Sequence, residues 1–274
     1  MAGTKPVPED QKAAVLTQAP LEESASPPQA IDDQFLKDYL HRMRNFDKFH
    51  DGDIVLDARE MKLLNSTVEK FKKVQDNVGH GNFYLLSFDE ALGFARQNGS
   101  IGAFTPEETE FLEKIFYEDA AKYGFLGDKP LPGLTDAVKK DVAYKVPHTG
   151  NWLYKGKPLE TYETIKGILG DKVILTSGVR SVVKQFLLFL SKAQVCRGNL
   201  SQASRSLAPP GYSFHGVGDF DVGQKGLGAR NFSSSFTETE VFKRLNDLGY
   251  IVLRYPKDNL LGVRFEPWHI KVAA

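Results

Sequence analysis

Ser213-Phe214-His215-Gly216-Val217-Gly218-Asp219-Phe220-Asp221-Val222-Gly223 packs one imidazole and two carboxylates into a single glycine-rich segment. A second segment, Glu266-Pro267-Trp268-His269, sets a carboxylate three residues before an imidazole. On a regular strand that spacing would turn the two side chains to opposite faces. For both to serve one site the chain must bulge, twist or end between them, and Pro267 supports such a break because proline is confined to strand edges, ends and bulges.

These residue types have a chemistry in common. A catalytic zinc takes three protein ligands from His, Asp or Glu and leaves a fourth position for water, whose pKa it can bring down to roughly 7. A further carboxylate, off the metal, is then needed to move the proton. Residues 213–221 with 266–269 hold one complete set, although spacing alone does not separate it from scattered polar residues. The other four histidines, His41, His50, His80 and His148, sit singly and read as surface or core residues.

The rest of the chain sets the frame. With 274 residues it can form one large domain or two modest ones. Lys+Arg and Asp+Glu both number 35, so no net charge recommends nucleic acid or an anionic membrane as partner. Cys196 is the only cysteine, which excludes an intrachain disulfide and leaves the compartment open. No stretch has the length and apolarity of a transmembrane segment, and residues 1–31 contain no signal-type apolar core.

Three regions follow from composition and periodicity. Residues 1–31, with Pro6, Pro8, Pro20, Pro27 and Pro28 among Ala, Ser, Gln and Glu, read as a flexible tether. Residues 32–145 read as a helical N-terminal region. Asp32 or Asp33 can cap a helix, Met61, Leu64, Val68 and Phe71 recur at helical spacing, and Ser87/Glu90 and Thr105/Glu108 match the capping box. The apolar stripes of this region are read as its own core. Residues 146–274 read as an α+β domain: a buried strand at 173–176, a helix carrying Val182 to Leu190, and a helix opened by Thr237 and Glu240. A C-terminal hairpin is predicted with strands at 250–255 and 260–272.

Two apparent motifs are set aside. Asp47 to Ala58 matches an EF-hand loop at Asp47, Asp51, Gly52 and Ile54, but Phe49 and Ala58 stand where oxygen ligands are required. The cluster Gly216, Gly218, Gly223, Gly226 and Gly228 lacks the Gly-Lys-Ser/Thr signature of a phosphate loop.

Ser213-x-His215, Gly218 and Asp221, followed by Glu266-x-Trp268-His269, resemble the two signatures of the D-alanyl-D-alanine carboxypeptidase family, which includes the vancomycin-resistance carboxypeptidases and shares a fold with the hedgehog signalling domain. Thr176-Ser177-Gly178-Val179-Arg180-Ser181, with Gln185 just after, is similar to that family's Ser-Gly-Tyr-Arg-Ser segment. The likeness spans roughly 170–272. It implies a small antiparallel sheet flanked by helices, with zinc held by His215, Asp221 and His269. Glu266 would be general base and then acid, Arg180 would steady the substrate carbonyl or oxyanion, Ser213 and Gln185 would hold the substrate's carboxylate or backbone, and Trp268 would pack beside the metal shell. Two departures stand out. The spacing from His215 to Asp221 is one residue shorter than usual, with Asp219 two residues away as a rival ligand, and Val179 replaces the family's tyrosine.

The resemblance implies a zinc-dependent peptidoglycan peptidase acting on stem peptides, foremost a D,D-carboxypeptidase that removes terminal D-Ala. An L,D-carboxypeptidase, a stem endopeptidase and a non-catalytic wall-binding module remain alternatives. The expected location is the periplasm or cell envelope, with an export signal outside this sequence.

Overall fold

The computed structural model describes residues 33–272. The expected tether, and Asp32 as a cap, lie outside the described residues. Five helices come first: α1 (Asp33–Arg44), α2 (Ala58–Val78), α3 (His80–Phe83), α4 (Phe88–Gln97) and α5 (Pro106–Tyr117). Their starts are written locally. Ser87 and Thr105 each accept from the backbone N–H three residues on, while Glu90 and Glu108 reach back to the cap, and Asp57 with Glu60 makes a third such box at α2.

The order then alternates: β1 (Ala143–Lys145), β2 (Trp152–Tyr154), α6 (Lys157–Leu169), β3 (Val173–Ser177), α7 (Val182–Val195), α8 (Leu200–Ser204), β4 (Phe220–Gln224), α9 (Glu240–Asp247) and β5 (His269–Ile270). β1 and β2 form one antiparallel pair, and β3-β4-β5 a second antiparallel sheet with β4 in the middle. This is the α+β class.

Two large apolar cores form among the described residues, beside a small cluster of Leu85, Ala143 and Val179. The first does not belong to the N-terminal helices alone, as their stripes suggested. Helix α7 closes it with Val182, Val183, Phe186, Leu187, Phe189, Leu190 and Ala193. Phe186 stands among Phe71 of α2, Phe88 of α4 and Phe116 of α5, with ring centroids 6.1, 6.0 and 6.3 Å away, within the range where aromatic pairs attract beyond simple burial. The second core lies between the three-stranded sheet, α6 and α9, and contains Leu175, Phe220, Val222, Val241, Leu245, Trp268 and Ile270.

Two predicted details change. Helix α9 is capped by Thr239, whose hydroxyl accepts from Phe242 N–H at 3.1 Å, while Thr237 donates to the Ser234 carbonyl in a preceding 3₁₀ turn. The C-terminal hairpin does not form as a regular two-stranded ladder. Its two segments meet only through Glu266 N–H to Tyr255, Lys271 N–H to Val252 and one bridge, while Leu126 N–H to Leu261 and Arg264 N–H to Arg205 tie the second segment to other parts of the chain. Only His269–Ile270 joins the sheet, with a bridge from Leu253 to Ile270.

The loop between α1 and α2 is held by a buried ion pair. Arg205 donates to both carboxylate oxygens of Asp53, at 2.8 and 2.9 Å, and to the Lys48 carbonyl, while Asn199 adds a bond to Asp53 at 2.7 Å. Burial alone would raise the Asp53 pKa. The hydrogen bonds from Arg205, Asn199 and the His50 N–H outweigh it and hold the group below the usual carboxylate range. Removing one partner leaves a buried charge uncompensated, so Arg205→Met should cost about 3–5 kcal/mol in denaturant unfolding. Because the folded pKa is depressed, this contribution is complete above the unfolded value near 4 and is lost as pH falls through the folded one. The gap in stability between wild type and Asp53→Asn should therefore be flat from about pH 5 upward and shrink below about pH 4.

Candidate active site

Asp221 lies on the central strand, in register with Ser177 of β3 on one side and His269 of β5 on the other. The β3–β4 register shifts between Leu175 and Ser177, leaving Thr176 as the extra residue of a bulge, a device that re-aims side chains beside functional sites. His215 arrives from a 3₁₀ turn at Phe214–Gly216. A turn at Pro267-Trp268 breaks the C-terminal segment just before His269, whose N–H bonds the Glu266 carbonyl at 3.3 Å. The break expected at Pro267 is therefore present, and Glu266 and His269 share one side: Glu266 Oε2 is 3.6 Å from His269 Nδ1.

Three potential ligand atoms converge. One from each of His215, Asp221 and His269 lies within 4.8 Å of the other two, and all three residues are buried. His215 Nε2 is 3.2 Å from Asp221 Oδ1, and His269 Nδ1 is 3.4 Å from the same oxygen. Despite that closeness, His215 Nε2 and Asp221 Oδ1 have no hydrogen-bond partner of acceptable geometry. A buried polar group left unsatisfied is costly, and two aimed at one point, with a second imidazole beside them, are the donor set a zinc ion fits.

Each ligand atom is oriented from behind. The Gly178 carbonyl accepts from His215 Nδ1 at 2.8 Å, which turns Nε2 inward. Asp219 Oδ2 accepts from His269 Nε2 at 2.9 Å, leaving Nδ1 facing Asp221. Asp219 is in turn held by Arg254 Nε at 2.7 Å and by the Val272 N–H at 2.8 Å. Arg180 donates to Asp221 Oδ2 at 2.7 Å and to Ser177 Oγ at 2.9 Å. Asp219 precedes the first residue of β4, so strand alternation does not extend to it, and it meets the outer edge of the His269 ring.

The charges follow. Burial and the Arg180 cation keep the His215 pKa below its ordinary value, opposed by Asp221, so the ring is neutral and has a lone pair to offer. Burial would raise Asp221, but His215, Arg180 and His269 bring it down to about 2. Burial would lower His269, yet Asp219 and Glu266 outweigh it and push the ring up to about 9.

The remaining predicted residues take distinct places. Glu266, Arg180 and Trp268 line an open cleft of about 330 Å³ together with His215 and Asp221. Ser213 and Gln185 line a small recess of about 20 Å³ on the Glu266 and His269 side, where Gln185 bonds the Ala208 carbonyl and its Oε1 has no partner. Trp268 also packs edge-on against Phe232 and belongs to the second core. Sequence reading missed Arg254, Tyr255 and Tyr84. Arg254 stood in an expected strand, Tyr255 packs edge-on against His269 at 5.4 Å, and Tyr84 lines the cleft from the N-terminal half.

Gly178 has no room for a side chain, since a Cβ there would lie 1.9 Å from the Trp152 carbonyl oxygen of β2. Gly178→Ala must push β2 and the His215-orienting carbonyl apart. Overpacking of this kind costs about 1–3 kcal/mol, read as a lower denaturant midpoint.

Residues 166–274 match the family model described as VanY: D-alanyl-D-alanine carboxypeptidase. Among solved structures, the chain is similar to the LdcB LD-carboxypeptidase, at 24% identity and a TM-score of 0.39, over 44% of this chain and 59% of that one. It is also similar to a mutant of the vancomycin resistance D,D-pentapeptidase VanY from a VanB-type cassette in complex with Zn(II), at 21% identity and a TM-score of 0.42, over 55% of this chain and 88% of that one. VanYB in complex with D-Alanine-D-Alanine matches at 21% identity and a TM-score of 0.43, over 55% and 86% of the two chains. No curated protein matches the chain. The matched stretch, residues 166–274, contains the three converging side chains and Glu266, so the likeness to the D-alanyl-D-alanine carboxypeptidase model falls on the site itself.

Proposed function

We propose that the protein is a zinc-dependent peptidoglycan carboxypeptidase that removes the terminal D-Ala of stem peptides by D,D-cleavage. The observation that carries this reading is the pair of buried atoms His215 Nε2 and Asp221 Oδ1, which lack a hydrogen bond of acceptable geometry and face His269 Nδ1, with the Glu266 carboxylate 3.6 Å from that nitrogen. His215, Asp221 and His269 hold the metal. Zinc supplies Lewis-acid chemistry there, polarising a carbonyl and making water more acidic.

The chain's own residues do the rest. Glu266 lines the cleft and takes the proton of the attacking water, then returns it to the leaving amine. Arg180, fixed by Asp221 and Ser177, keeps a positive charge at the cleft where the carbonyl oxygen becomes negative. Ser213 and Gln185 receive the terminal carboxylate or backbone in the recess beside Glu266. Asp219 and Arg254 keep the His269 ring turned. Action on a wall peptide places the protein outside the cytoplasm, in the periplasm or envelope. Among the described residues no helix is long and apolar enough to cross a membrane.

Digestion of defined pentapeptides, tetrapeptides and cross-linked muropeptides, with and without a chelator, tests the reading. Free D-Ala from pentapeptide alone, abolished by the chelator and restored by zinc, is expected. Release from tetrapeptide instead would assign the L,D bond. Glu266→Gln should keep one zinc per chain and lose about 10²–10⁴-fold in turnover, whereas unchanged turnover would remove Glu266 from the chemistry.

Outer-shell carboxylates on a ligand histidine are worth about 10–100-fold in metal affinity. Chelator competition should therefore show a loss of that size in Asp219→Asn, and no measurable zinc binding in Asp221→Ala. The reverse ranking would make Asp219 the ligand.

A further inference from the structure

The cleft is lined on one side by a stripe of α7. Lys184, Leu188 and Lys192 recur every four residues, so they share one face of the helix, while the opposite faces fill the first core. Lys184 is the unusual member. It is only 8% exposed, and its Nζ bonds Gln75 Oε1 of α2 at 2.8 Å and sits 4.8 Å from the centre of the Tyr84 ring. All of these neighbours are uncharged. Among the described residues no carboxylate lies within ion-pair distance of Lys184, Lys192 or Arg264, the three cleft-lining cations beyond Arg180.

Burying an ammonium without an anion is expensive. Burial, with Arg180 nearby, draws the Lys184 pKa down to about 8, which leaves the amine mostly charged at neutral pH. A second observation points the same way. Arg264 Nε and Ser206 Oγ line this cleft, are buried, and have no hydrogen-bond partner. Among the described residues the only carboxylates lining the cleft are Asp221 and Glu266, and both are engaged at the proposed metal and proton-transfer site. The cleft therefore has an excess of fixed positive charge and unused donors; Lys184, Lys192 and Arg264 line it but not the adjoining recess that holds Ser213 and Gln185.

We infer that this wall of the cleft, Lys184 above all, is a specificity site for a second carboxylate of the substrate, an internal one distinct from the terminal carboxylate. The inference rests on the carboxypeptidase reading and narrows its substrate class to acidic peptides. Gln75 and Tyr84, both from the N-terminal half of the chain, make that half part of substrate selection, because they hold the Lys184 amine where it is.

The test uses two pentapeptides ending in D-Ala-D-Ala, identical except that their internal carboxylates are free in one and amidated in the other. Affinity is measured on the zinc-loaded Glu266→Gln protein, and hydrolysis on the wild type. A hydrogen bond between two charged groups discriminates by about tenfold or more, so the free acid should bind at least that much more tightly than the amide. Adding Lys184→Met should bring the ratio toward one. Equal affinity for acid and amide with Lys184 present overturns the inference, whether or not the peptides are cleaved. An acid preference without any cleavage supports it and removes the carboxypeptidase reading instead. Should Lys184→Met fail to fold, the acid-to-amide ratio in the Lys184-containing protein and its reduction in Lys192→Met decide the matter.

Discussion

The site depends on one buried carboxylate. Asp221 is fully enclosed in the middle strand of a three-stranded sheet, and a lone ion there would be untenable. Arg180 neutralises one of its oxygens from the loop after β3, and the two imidazoles approach the other from the 3₁₀ turn and from β5. The bulge at Thr176, the bare Cα of Gly178 and the turn at Pro267 can all be understood as backbone arrangements that let three separate segments reach this one side chain. The same convergence leaves Asp221 Oδ1 and His215 Nε2 in close contact but without a well-formed hydrogen bond, a need that a cation would meet.

The orientation of the imidazoles is set from outside the cluster. A carbonyl at Gly178 and a carboxylate at Asp219 each engage the ring nitrogen that faces away, so the inward nitrogen differs between the two histidines: Nε2 in His215 and Nδ1 in His269. Asp219 is itself locked by Arg254, whose guanidinium lies 3.5 Å from the centre of the Phe214 ring. Rings held this way lose little freedom when a metal binds, which is how such partners raise affinity.

Much of this was legible in the sequence where the physics is local. The capping boxes at Ser87 and Thr105 need only neighbouring residues to form, and the strand ending at Ser177 and the helix after it are marked by local apolar pattern although the strand pairs with distant β4. Where distant segments decide, local reading failed. The run from Tyr250 to Val272 has strand-like composition, yet it pairs with itself only at scattered points, and Leu261 and Arg264 bond to Leu126 and Arg205 instead. The N-terminal stripes read as a separate core, but Phe186 of α7 fills the space between them. Asp219 looked like a rival to Asp221 because two residues of strand parity put both on one face; the strand begins at Phe220, and the rivalry becomes a division of labour around His269. Lys184 left a trace in the sequence too, as a cation four residues after Arg180 in the first turn of a largely apolar helix, but only the fold shows that no carboxylate meets it.

The central claim is that His215, Asp221 and His269 form one metal centre with the ring nitrogens named above. Anomalous diffraction at the zinc edge, from crystals of zinc-loaded protein, tests it most directly. A single strong peak at bonding distance from His215 Nε2, Asp221 Oδ1 and His269 Nδ1, with Asp219 still on the far side of the ring, is the predicted result. A peak bound through Asp219, or one lying away from these three side chains, would contradict the account.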